Sequence, residues 1–388
     1  MKTRITLVTS SNFQTWAGGK KTAYEYARYM DKERFEVRIL QPYPYGKKTI
    51  SDKELNEKLR DIKVDNFIYP LDKLANTINS NLFMSLISNP LLPFRKIIFS
   101  ITRLVNLRKF RKIEAETDYF YVVNNDLAEI LSKKTKIIGS EHIFLPGIFN
   151  GKPKRSISAI LALKMTKIGI LYRNIDAFHC INESSKNFLD SAKRSFFVPN
   201  GVDTSTYFPR NTQLEKINLL FVARIEESKG IMQLLFAFKK IEDSNFVLNI
   251  VGRGSLDGIF KTIEDKRIHY HGFLNEAELC ELYGKCDVFV FPSFNENFPL
   301  VILEALSSGL YVITSNQMKP RFDNFLENNF LEYIPINEEK IKDSILRLKD
   351  KIDYIRNFER KKDIHEIVKK LYDWRIVVSE LSENILNV

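Results

Sequence analysis

Short apolar runs rich in Val, Ile and Phe punctuate the chain, and stretches with helical periodicity separate most of them. In the first half, RITLVTS (4–10), FEVRILQP (35–42), YFYVV (119–123), KIIGSEH (136–142), DAFHCIN (176–182) and SFFVPN (195–200) read as strands, with a helix from about Lys20 to Met30. In the second half, INLLFVAR (217–224), NFVLNIVG (245–252), RIHYHGF (267–273), CDVFVFPS (286–293) and LYVITSN (310–316) read the same way, and a helix follows Gly230 through Lys240. Runs of this kind are expected of strands buried on both faces. Their alternation with helices predicts mostly parallel sheets with helices on their faces. Turn residues cluster after VPNGVD, near 201–213, so two open α/β domains in series are expected. Such sheets bind ligands outside the carboxyl ends of their strands.

Composition narrows the class. A chain of 388 residues with 44% hydrophobic and 28% charged positions reads as a soluble globular protein with room for two domains. Cys180, Cys280 and Cys286 form no CxxC pair and have no zinc-finger spacing, so neither a disulfide framework nor a metal site is expected, and a reducing compartment fits. MKTRITLVTSSN reads as a first strand rather than a signal peptide. No run approaches the roughly 18 apolar residues that a membrane span requires. A cytoplasmic location is the resulting expectation.

The net charge of +11 is unevenly spread: residues 1–200 hold 34 basic and 19 acidic residues, whereas 201–388 hold 25 and 29. Residues 81–113 and 142–175 contain no acid and carry seven and six basic residues among Leu, Ile and Phe. These stretches suit peripheral contact with an anionic membrane. They are equally readable as ordinary helices, apolar toward a core and basic toward water. No nucleic-acid motif accompanies the charge, so no nucleic-acid partner is expected.

The candidate chemistry lies at strand ends. FNENFPLVILEALSSG (294–309) holds two carboxylates, Glu296 in a turn-prone run and Glu304 inside an apolar helical one. A buried carboxylate is costly without a partner. Pro299 suits a first helical turn. The backbone N–H groups around Asn297, Phe298 and Leu300 would then form an anion or hydroxyl site. Glu304 could accept hydrogen bonds from a diol, or could pair with a neighbouring Lys or Arg; Glu296 could be a solvated loop residue. Arg224 and Lys229 in ARIEESKG are placed to neutralise a diphosphate, or simply face solvent. Gly252 and Gly254 in VGRG would let backbone approach a flat base. Gly18 and Gly19 in WAGGK mark a strand-to-helix turn, and His142 ends a strand, in a structural or a cleft-facing role.

Together these motifs resemble those of family 4 glycosyltransferases, the retaining, nucleotide-sugar-dependent group 1 enzymes. The resemblance spans most of the chain: AGGK, VPNGVD with FP following, ARIEESKG, VGRG, HGFLNEAELCELYGKCDVFVFPS and, most specifically, the E-x7-E run of Glu296 and Glu304. It implies the GT-B fold, two Rossmann-like domains facing each other across a cleft. The first, 1–205, would bind acceptor and the second, 206–370, the nucleotide sugar. LYDWRIVVSEL would open a helix (371–388) crossing back onto the first domain. By resemblance Glu304 binds ribose hydroxyls and Glu296 the donor sugar. Arg224 and Lys229 hold the diphosphate and stabilise the leaving group. Asn297, Phe298 and Leu300 offer backbone N–H groups, Gly252 and Gly254 belong to donor binding, Gly18 and Gly19 admit donor phosphate and acceptor, and His142 faces the reacting sugar.

The resemblance further implies no cofactor and no metal. The expected reaction is transfer of a hexose from a nucleoside diphosphate sugar to a hydroxyl of a glycan, glycolipid or lipid-linked oligosaccharide, with retention, at the inner face of the cell membrane. The chain departs from the family pattern at Asn297, where Gly is usual, at Ala223 and Tyr311, and at Arg321, which stands where the family has Pro-Glu. A non-catalytic member, a nucleotide-sugar epimerase, a sugar phosphorylase and a nucleic-acid binder are the rival readings.

Overall fold

The computed structural model describes residues 2–9, 19–42, 52–68, 93–123, 125–141, 173–190, 193–212, 215–294, 296–322, 325 and 329–388. They group into two units, Met1–Pro199 with Val377–Val388, and Asn200–Ile376. The first holds a sheet of seven strands: β1 (Thr3–Val8), β2 (Phe35–Pro42), β3 (Lys63–Phe67), β4 (Tyr119–Val122), β5 (Lys136–Glu141), β6 (Ala177–Cys180) and β7 (Ser195–Phe197). Their spatial order is β3-β2-β1-β4-β5-β6-β7, and every pairing is parallel. The second holds six: β8 (Ile217–Val222), β9 (Phe246–Val251), β10 (Ile268–Gly272), β11 (Val288–Phe291), β12 (Tyr311–Ser315) and β13 (Leu331–Ile334). They are ordered β10-β9-β8-β11-β12-β13, again parallel throughout.

The expected pair of parallel α/β sheets is therefore present. All four residues of β11 and all five of β12 are buried, as their unbroken apolar runs require. Strands β3 and β13 go unread in the sequence because charge interrupts their short apolar runs; the edges β7 and β10 are read. KVDNF and LEYI are half-exposed and mix charge with apolar residues, so neither carries the buried-strand signal. In each sheet the winding reverses once, between β1 and β4 and between β8 and β11. The carboxyl ends of the two strands flanking such a reversal diverge and leave room for a ligand.

The division at Pro199/Asn200 comes a few residues before the expected 205/206 boundary. Val202 bridges to Asp373 and the Thr204 hydroxyl bonds the Asp373 carboxylate, which ties 200–204 to the second unit. The terminal segment expected to start at 371 instead joins the first unit from Val377. Tyr372 packs on Phe298 and Phe325, and Trp374 lies against Gly201, within the second.

In the first unit, the buried Tyr121 hydroxyl lies 2.5 Å from His179 Nδ1, and His179 Nε2 lies 2.7 Å from the Val198 carbonyl. A carbonyl only accepts, so Nε2 carries the proton and Nδ1 accepts from the phenol. Burial holds this imidazole down at about 4, partly opposed by the bond to Val198.

Candidate functional site

Two loops of the second unit meet beyond its winding reversal. After β8 the chain turns through Arg224 and Ile225 into a short 3-10 turn, Glu227–Lys229, then through Gly230 into the helix Ile231–Lys239. Gly230 adopts φ 72°, and a Cβ there would lie 2.0 Å from the Pro292 carbonyl oxygen. Only glycine lets the β8 loop seat so closely on the end of β11. The Ser228 carbonyl stitches the loops together, accepting from the Phe294 amide at 3.0 Å and the Ser293 hydroxyl at 3.3 Å.

That stitching brings Lys229 to Glu296. Nζ stands 2.6 Å from Oε1, with the side chains 13% and 18% exposed, and Ser293 Oγ donates to the same oxygen at 3.2 Å. Neither sequence alternative of a diphosphate-facing lysine or a solvated loop glutamate anticipates this pairing. Arg224 goes elsewhere. Its side chain is 69% exposed and pairs with Glu226.

The helix that carries Glu304 runs Leu300–Ser307, with Pro299 as its extended N-cap residue rather than its first helical one. Its first N–H groups, from Leu300 onward, lack an intrahelical acceptor by position. Phe298 is turned to the core, its ring 5.3 Å from Phe322 and 6.2 Å from Tyr372. Glu304 itself is 5% exposed. The fully buried Tyr283 phenol donates to its Oε2 at 3.3 Å. Among the described residues a tyrosine is thus one partner of Glu304. Tyr283 ends the helix Glu276–Gly284, whose start is fixed by a capping box between Asn275 and Glu278. Burial and the nearby Glu304 charge hold the Tyr283 and Tyr207 phenols in their neutral form, well above their ordinary pKa.

Gly252 and Gly254 use their close approach within the fold. A Cβ at Gly252, where φ is 134°, would lie 1.7 Å from the Ala223 carbonyl oxygen, and one at Gly254 2.3 Å from that of Ile225. The glycine turn after β9 therefore sits directly on the end of β8. Gly19 opens the helix Gly19–Tyr29; Gly18 and His142 lie outside the described residues.

Ser293, Tyr283, Tyr207 and Arg321 also shape the site and were not among the expected site residues. Arg321 donates from Nε to the Asn297 carbonyl and from Nη1 to the Gln317 carbonyl, the latter at 2.5 Å. Its only advance signal is its departure from the family pattern. Among the described residues, no group of three or more His, Cys, Asp or Glu side chains could hold a metal ion.

Comparison with known proteins places these motifs. Residues 204–370 match the family model described as "Glycosyl transferases group 1". A 249-residue stretch is 29% identical to UDP-Gal:alpha-D-GlcNAc-diphosphoundecaprenol alpha-1,3-galactosyltransferase of Escherichia coli, covering 52% of this chain and 62% of that protein. The chain thus spans less than two thirds of that curated relative. Among solved structures, sucrose-phosphate synthase of Thermosynechococcus elongatus superposes with a TM-score of 0.70 at 16% identity, over 100% of this chain and 99% of that one. Anabaena HepE in complex with UDP does so with a TM-score of 0.68 at 15% identity, over 100% of both chains. These structural likenesses establish the fold.

Proposed function

We propose that the chain, whose residues 204–370 match the model of group 1 glycosyl transferases, transfers a hexose from a nucleoside diphosphate sugar to an acceptor hydroxyl, with retention. The observation that carries the reading is the Lys229–Glu296 pair at the winding reversal between β8 and β11, followed by a helix bearing the buried Glu304. An open α/β sheet binds its ligand at this place. Glu304 is the ribose ligand, Glu296 holds donor-sugar hydroxyls, and Lys229 with the N-terminus of the Leu300–Ser307 helix faces the diphosphate. Arg224, already exposed, swings in when donor binds. The bond from the anomeric carbon to the diphosphate oxygen breaks, the acceptor oxygen bonds that carbon on the same face, and the acceptor proton passes to the leaving diphosphate. Preorganised positive charge stabilises that leaving group, and no metal is required.

A lipid-linked acceptor fits the first unit. Ile101, Leu104 and Val105 at the end of the helix Pro93–Val105 are 44%, 71% and 52% exposed. The Asn106 side chain bonds both the amide and the carbonyl of Ile68, itself 43% exposed, so this residue borders the same corner. Arg108, Arg111 and Lys112 are exposed on the next helix, Leu107–Ala115. An apolar tip beside basic residues suits an anionic headgroup layer. The basic stretch 142–172 lies outside the described residues. The E. coli relative, whose name specifies a diphosphoundecaprenol-linked acceptor, supports this choice.

The experiment is a thermal-shift panel of nucleoside diphosphate sugars on wild type and Glu304→Ala. A ligand of the native fold raises its melting point. Stabilisation of wild type by one donor, lost in the variant, supports the reading; stabilisation of both alike removes Glu304 from the donor site. Analysis of the product anomer tests retention, and pulldown with anionic vesicles at low salt tests membrane contact.

A further inference from the structure

We propose that Arg321 supplies a third cation to the donor site, offering Nη2 to an anionic oxygen of the nucleotide sugar while its other nitrogens hold the glutamate loop in place. The inference rests on the donor-site reading above and assigns a contact that reading lacks.

The geometry is that of a fork used on two prongs. Arg321 follows β12, the strand beside β11, in the short helix Lys319–Phe322. Nε bonds the Asn297 carbonyl and Nη1 the Gln317 carbonyl, so the side chain ties the glutamate loop to the segment after β12. Among the described residues Nη2 makes no hydrogen bond. In a planar guanidinium Nε and Nη2 share one edge, the edge that grips carboxylates and phosphates in pairs. Because Nε is directed at Asn297, Nη2 lies on the same side, toward the loop of Glu296.

Glu296 shows the matching vacancy of partners. Among the described residues both of its bonds go to Oε1, from Lys229 and Ser293, and none goes to Oε2. No ion pair joins Arg321 to Glu296, although the Glu296 charge is felt at the guanidinium, where it opposes the downward push of burial. Among the described residues one carboxylate is therefore within electrostatic reach of two cations, Lys229 and Arg321. The site presents an open donor at Nη2 and an open acceptor at Oε2. An anionic oxygen beside a hydroxyl satisfies both, and a nucleoside diphosphate sugar carries that pair. The anionic oxygen belongs either to the diphosphate or to a carboxylate on the sugar itself.

The test is calorimetric binding of UDP, GDP, ADP and their glucose conjugates, with UDP-glucuronate as the acidic sugar, to wild type, Arg321→Gln and Arg321→Lys. Melting points confirm that each variant is folded. We expect Arg321→Gln to weaken binding at least tenfold. A loss shared by the bare nucleoside diphosphate assigns Nη2 to the diphosphate; a loss confined to UDP-glucuronate assigns it to the sugar carboxylate. Arg321→Lys keeps a charge but not the fork, and is expected to bind more weakly than wild type; it carries the test if the Gln variant does not fold. Affinities equal to wild type in the folded variants overturn the inference alone. Wild type that binds none of these probes overturns the donor-site reading and the inference with it.

Discussion

Strand β11 carries an ion pair at each end. At its amino end Asp287 is fully buried, and both carboxylate oxygens are engaged: Arg356 reaches Oδ1 at 3.0 Å and Oδ2 at 3.1 Å, and the Asn218 amide donates to Oδ2 at 2.9 Å. At its carboxyl end Glu296 is engaged, among the described residues, through Oε1 alone, by Lys229 and Ser293. Each end pairs a carboxylate with a cation, Asp with Arg at one and Glu with Lys at the other, and the ends differ in saturation. A carboxylate bonded on both oxygens inside the fold is an anchor. One held on a single oxygen, beside Arg321 and a helix N-terminus, is poised to exchange partners with a ligand.

The largest expected effect breaks the anchor. Arg356→Ala leaves a buried carboxylate without its cation, a change that costs about 3–5 kcal/mol, and urea denaturation should show it. A loss under about 1 kcal/mol, the range of exposed pairs, would erase the distinction between the two ends.

A neutral buried group sharpens the contrast with both pairs. The folded value of His179 is about 4, below its ordinary 6.5. Unfolding therefore takes up a proton between these values. The stability His179 contributes is complete above about pH 6.5 and is lost as pH falls toward 4, by up to about 3 kcal/mol. Denaturation at pH 7.5 and 4.5 should show a drop that shrinks in His179→Gln.

The poised end should behave in the opposite way to the anchor. Lys229→Ala is expected to lower kcat about 100-fold, the scale of losing one preorganised electrostatic contact. Its melting point should change little, because the pair is monodentate and partly solvated. A large stability loss with kcat preserved would make Lys229–Glu296 a second anchor. The smallest effect concerns Glu304. Tyr283→Phe removes the phenol proton shared between Glu304 and the Val301 carbonyl, worth about 1–3 kcal/mol, so KM for the donor should rise while kcat holds. An unchanged KM would show that the phenol does not position the carboxylate.

The two ends of β11 also explain what was legible in the sequence. CDVFVFPS announced its strand because every residue of β11 is buried, and FNENFPLVILEALSSG announced its helix by periodicity and proline. Strands β3 and β13 were silent because Lys63, Asp65 and Glu332 interrupt their short apolar runs. The positions of Glu296 and Glu304 were legible as a motif, but their partners were not. Lys229 meets Glu296, and Arg321 meets the Asn297 carbonyl beside it, only because β8, β11 and β12 are neighbours in space, and strand order is not written in local pattern. Tyr283 looked like one more apolar helix position, since its ring is buried and only its hydroxyl reaches Glu304. Gly252 and Gly254 were read as letting backbone approach a base; their close approach to the carbonyls of Ala223 and Ile225 carried no sequence signal of its own.

The central claim is that the carboxyl end of β11 is a donor site and its amino end is not. Isothermal titration of UDP, GDP and ADP into wild type, Lys229→Ala and Arg356→Lys addresses it directly. The account predicts that one nucleotide binds wild type, binds Lys229→Ala at least tenfold more weakly, and binds folded Arg356→Lys as it binds wild type. Equal binding by wild type and Lys229→Ala would contradict it.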